Sequence, residues 1–148
     1  MRARNSLMFT FLSLILFTTA SMAEQSQTFG KYTIHYNVIN TEILDPTVAS
    51  GYKITRSKNR ALLNISILKN EMGTSVKPVK ATVAALVTTL NLQQSQVNVR
   101  ELEDSGAIYY VGEIPIKNAE TLKFEIKVQP LESDEIYTLK FQQEFFTE

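Results

Sequence analysis

From Phe29 onward the chain alternates between apolar and polar positions. Tyr32, Ile34, Tyr36 and Val38 fall on one face, and Thr33, His35 and Asn37 on the other. Period-two patterning with aromatic and β-branched residues predicts a half-buried strand. Ala61, Leu63, Ile65 and Ile67 repeat the pattern, but their opposite face, Leu62, Asn64, Ser66 and Leu68, is itself partly apolar, as in a central strand. Val79, Ala81, Val83, Ala85 and Val87 form a third alternating run, and residues 97–102 and 108–112 two more. The clearest strand sets Leu122, Phe124, Ile126 and Val128 against Lys123, Glu125, Lys127 and Gln129. Tyr137, Leu139, Phe141 and Phe145 line the last one.

Turn chemistry separates these runs. Asp104-Ser105-Gly106 joins two of them so closely that a hairpin is implied. Pro130 ends a strand because proline has no N–H for the ladder. Asp45-Pro46 followed by Gly51 predicts one or two turns of helix: Asp45 caps, Pro46 takes the first helical position, and Val48 and Tyr52 turn inward. Residues 24–28 are polar and carry no strand pattern.

About seven strands, one short helix and no helical crossover exclude a parallel sheet. The expected fold is all-β, an antiparallel β-sandwich of immunoglobulin-like size, with a closed barrel as the alternative. The chain has no cysteine and no tryptophan, so the sandwich must hold by packing alone.

Residues 1–23 follow a different logic. A basic start, Met1-Arg2-Ala3-Arg4, leads into an apolar run over residues 7–17, then small Ser21 and Ala23. That is the pattern of a cleavable signal peptide cut after Ala23, and the apolar run is only about half the ~20 residues a spanning helix requires. One domain, residues 24–148, is expected to remain, exported to the periplasm and not inserted in a membrane. Cleavage removes two of the 15 basic residues and none of the 15 acidic ones. The resulting slight negative charge favours neither nucleic acid nor an anionic membrane surface.

One stretch is more specific than any pattern: Phe29-Gly30-Lys31-Tyr32-Thr33-Ile34-His35-Tyr36-Asn37, then Pro46, Ala49, Tyr52 and Ile54, then Arg56-Ser57-Lys58-Asn59-Arg60-Ala61-Leu62-Leu63-Asn64-Ile65-Ser66. It resembles an uncharacterised family of short exported proteobacterial proteins, domain of unknown function 4426 (DUF4426). The resemblance spans the mature chain and implies a Gram-negative source and a periplasmic address. It carries over no functional residue.

Catalytic equipment is sparse. With one histidine and no cysteine, the usual zinc or copper ligand sets have few members to draw on. The five glycines are scattered, so no phosphate-cradling loop is present and no cofactor is expected. The carboxylates of Glu101, Glu103 and Asp104, and of Glu132, Asp134 and Glu135, lack calcium-loop spacing and read as solvated turns. His35 has no Gly-x-Ser-x-Gly context to make it the base of a hydrolase. With Asn37 it belongs to the polar face of its strand, where both are candidate partner-binding residues. Arg56, Ser57, Lys58, Asn59 and Arg60 form a basic connector that reads either as a solvated link or as a docking loop for an acidic partner. The expected function is a binding or accessory module that recruits an envelope protein through a sheet edge or this loop. A small-ligand carrier is the alternative, and a hydrolase using His35 comes third.

Overall fold

The computed structural model describes residues 25–73 and 75–148, so the expected signal peptide lies outside the described residues. Among the described residues, ten strands form two antiparallel sheets. They are β1 (Gln25–Phe29), β2 (Tyr32–Asn40), β3 (Arg60–Asn70), β4 (Val76–Pro78), β5 (Ala81–Thr89), β6 (Gln94–Val97), β7 (Arg100–Asp104), β8 (Ala107–Pro115), β9 (Glu120–Pro130) and β10 (Tyr137–Phe145). The first sheet runs β1-β2-β3-β8-β7, with β4 also paired to β3, and the second runs β10-β9-β5-β6. A 3-10 turn (Thr41–Ile43) and one helix, α1 (Pro46–Gly51), interrupt the strands.

The alternating faces explain the sandwich. Ile34, Leu63, Ile65 and Ile67 of the first sheet are fully buried, as are Ile126, Val128 and Leu139 of the second. Each apolar strand face needs a partner, and the two sheets bury theirs against each other. The β7–β8 hairpin closes on Ser105 (φ 50°) and Gly106 (φ 86°), the doubly left-handed turn that matches strand twist.

Three strands have no counterpart in the alternating pattern. β1 is almost wholly polar and pairs through its backbone with β2. β4 is only three residues long. The single strand expected over residues 97–102 is two, β6 in the second sheet and β7 in the first, separated where the chain crosses between layers at Asn98 and Val99. The helix also differs in detail. Asp45 accepts from the backbone N–H groups of Thr47 (2.8 Å) and Val48 (3.2 Å), as expected, yet Ala49 is the residue buried beneath it and Val48 is 45% exposed. The small side chain of Ala49 lets α1 approach the sheet closely.

Tyr110 links the layers. Its hydroxyl accepts from the Ala81 backbone N–H (2.8 Å) and donates to Glu101 (3.0 Å). Tyr110→Phe leaves a buried N–H of β5 without a partner, so a loss of about 1–3 kcal/mol is expected in urea unfolding. A loss under half of that would mean that water reaches Ala81.

Candidate functional site

The outer face of the first sheet is not left to solvent. The 3-10 turn and α1 fold over it, and a second apolar cluster forms there around Ala49, Ile54, Leu62 and Val111. A groove of about 270 Å³ runs between α1 and the sheet. Ile39, Leu62, Val111 and Tyr109 contribute apolar floor, while Leu44, Val48 and Tyr52 contribute wall. No charged side chain lines it.

Two asparagines interrupt the apolar lining. Asn37 of β2 and Asn64 of β3 stand directly opposite each other in the ladder. The Oδ1 of each is buried and accepts no hydrogen bond. Buried carbonyl oxygens are nearly always paired, so two adjacent orphans are an unusual feature.

The wall is held at several points. The Tyr52 hydroxyl donates to Asp104 at 2.6 Å, and Arg100 donates to the Tyr52 carbonyl. The first of these bonds is the main reason that the Asp104 carboxyl is held below its ordinary range and the Tyr52 phenol above its own. Both clamp α1 to β7 across the groove.

The basic connector anchors the other side. Arg56 donates to the Glu42 carbonyl (2.8 Å). Ser57 and the fully buried Thr41 exchange hydrogen bonds, Ser57 N–H to Thr41 Oγ1 (2.9 Å) and Thr41 Oγ1 to the Ser57 carbonyl (3.1 Å). The Lys58 carbonyl accepts from the Asn40 amide (2.9 Å), and the Asn59 carbonyl from Ile116 N–H (3.0 Å). Arg60 pairs with Glu113 at 3.1 Å. The connector thus fastens the 3-10 turn, and with it the approach to α1, onto β8.

His35 lies on the same outer face as Asn37, half-buried, in register between Ser26 of β1 and Ser66 of β3. The structure therefore brings His35 and Asn37 together along one strand and sets residues 56–60 apart from them, at the end of the sheet. Sequence reasoning did not single out Asn64, Tyr109 or Leu62 as site residues. The available signal was the partly apolar second face of β3, which called for a cover.

A wider hollow of about 410 Å³ lies on the second sheet, lined in part by Lys123, Glu125, Lys140 and Gln142. Its carboxylate is engaged, since Glu125 pairs with Lys140 at 3.1 Å.

The molecule is an antiparallel β-sandwich with a sheltered groove on one outer face. The chain belongs to the DUF4426 family: the family model, described as a domain of unknown function, matches residues 26–148. It is similar to a crystal structure of a DUF4426 family protein from Pseudomonas aeruginosa, with 36% identity, a TM-score of 0.71, and 83% of this chain and 94% of that one covered. It also shares its fold with FetP of uropathogenic Escherichia coli, at 10% identity, TM-score 0.58, and 84% and 94% coverage. A copper-bound variant of FetP gives 11% identity, TM-score 0.57, and 83% and 95% coverage. No curated protein matches the chain.

Proposed function

We propose that this chain is an exported binding module whose groove beneath α1 takes a compact, neutral ligand with an apolar body and a hydrogen-bond donor. One observation carries the reading: two unpaired amide oxygens, Asn37 and Asn64, side by side in an otherwise apolar groove. Ligand pockets combine an apolar lining with a few convergent polar groups. A turn of either amide about χ2 brings its oxygen to a donor delivered by the ligand. An apolar cavity of roughly 150 Å³ takes benzene, so this groove suits a molecule of about two rings.

The signal-like residues 1–23 support a periplasmic address, and FetP was recombinantly expressed in the periplasm. In this reading Asn37 contacts ligand, His35 borders the polar end of the groove, and Arg56 to Arg60 hold the wall in place. Among the described residues no group of three or more His, Cys, Asp or Glu side chains is placed to hold a metal.

The test uses 1-naphthol, a neutral two-ring aromatic with one O–H donor, whose undissociated form brightens on leaving water. Its fluorescence is expected to rise on binding the mature protein. Val48→Trp, which enlarges an exposed wall residue without touching the core, should weaken binding roughly tenfold or more. Asn64→Leu should weaken it about two- to tenfold, the worth of a hydrogen bond. Equal binding by Val48→Trp would remove the groove from consideration.

A further inference from the structure

The sandwich is unevenly filled at one side. Among the described residues, β10 pairs only with β9, so its second edge carries unpaired backbone groups along nine residues. Its ladder is continuous from Tyr137 to Phe145, with no proline within it. Proteins usually blunt an edge of this length with proline, a bulge, charged side chains or a covering segment; β10 carries two charges, Lys140 and Glu144.

β10 lies beneath β2: Phe141 packs on Tyr36 at 4.8 Å, and the Gln143 amide donates to the Val38 carbonyl at 3.0 Å. β1 is the next strand out in the first sheet. Its only ring contact with β10 is Phe29 on Tyr137, at 4.9 Å. Gln25 and Gln27 share the inward face with Tyr36 and Ile34 by register, yet both are exposed. Among the described residues the second sheet thus has no strand beneath β1. Beside that empty lane, Phe29, Tyr36, Tyr137 and Phe141 are only partly buried.

We propose that this lane receives one extended segment of another polypeptide, added antiparallel to β10. An unpaired strand edge recognises an extended backbone, and alternate side chains give specificity. Inward residues of the segment would lie beside Phe141 beneath Gln25 and beside Leu139 beneath Gln27, so each has an apolar neighbour in β10 and a glutamine above it. On the outward side Lys140, whose side chain is 71% exposed, faces an acidic residue, and Glu144 faces a basic one. A second copy of this chain does not fit. Pairing two β10 edges about a twofold axis normal to the sheet brings the second molecule's own first sheet into the layer that β1 already occupies.

The proposal is independent of the groove and has its own probe. A synthetic peptide with the sequence of β10 itself, YTLKFQQEF, can add with its glutamate opposite Lys140 and its lysine opposite Glu144. With this peptide in excess, hydrogen exchange on the mature protein should slow at alternate β10 amides, and a scrambled peptide should leave them unchanged. Lys140→Glu should weaken binding about five- to tenfold, and a peptide carrying lysine in place of its glutamate should restore it. Lys140 is exposed and its pair with Glu125 is a surface one, so Lys140→Glu costs little stability and leaves the fold intact, which urea unfolding of the variant checks. Protection confined to other strands, no protection at all, or indifference to the charge swap would each overturn the proposal. So would a dimer in sedimentation whose protected amides are those of β10.

Discussion

Phe124→Ala is expected to remove about 3–5 kcal/mol of folding stability, the usual range for truncating a buried phenylalanine. Phe124 is 2% exposed and sits at the centre of an aromatic seam. It stacks on Phe141 with centroids 4.7 Å apart and rings nearly parallel, and meets Phe145 edge-on at 6.4 Å. Phe141 in turn packs on Tyr36 of the opposite sheet. The substitution therefore opens a cavity and also frees a ring that joins the two layers. Domains of this size are stable by only about 5–15 kcal/mol, so the variant should lose roughly a fifth or more of its margin. Urea unfolding followed by far-ultraviolet circular dichroism measures it, since there is no tryptophan to report. A loss below about 1.5 kcal/mol would mean that Phe141 and Phe145 close over the gap, as relaxed cavities do.

The strand that carries Phe124 was the most legible part of the sequence, for a physical reason. Leu122, Phe124, Ile126 and Val128 face the core while Lys123 and Lys127 face water, so burial and period agree. β3 was legible in a second way. Its apolar outward residue Leu62 called for a cover, and α1 with the connector supplies it. The polar strand β1 could not be found by the same reasoning. Its side chains do not bury, and its pairing with β2 rests on backbone groups that every residue possesses. The groove was half visible: Asn37 was marked by its place on a polar face, but its partnership with Asn64 depends on the register between β2 and β3, which turns and tertiary packing decide. The basic connector drew attention through its charge. In the fold its side chains and carbonyls meet Glu42, Thr41, Asn40 and Glu113 from other segments, contacts that exist only once the sheet has formed.

The break between β6 and β7 leads to the other large effect. Val97 and Leu102 are an odd number of residues apart, so one continuous strand would point them to opposite faces. The chain instead leaves the second sheet after Val97 and enters the first at Arg100. It makes this crossing directly over Gly112 of β8. A Cβ on Gly112 would lie 2.5 Å from Val97 Cγ1 and 3.1 Å from the Asn98 carbonyl oxygen. The φ of Gly112 is not left-handed, so what glycine supplies here is space, a close backbone approach that any side chain would block. Gly112→Ala should destabilise by about 1–3 kcal/mol through overpacking, and Gly112→Val by more than Gly112→Ala. Val97→Ala removes the nearest contact and should recover part of the Gly112→Ala loss, leaving a coupling of about 0.5–3 kcal/mol in a double-mutant cycle. Strict additivity would mean that the crossing yields elsewhere, at the Asn98 backbone. Coupling would show that one missing side chain on β8 is what lets the chain pass from one layer to the other.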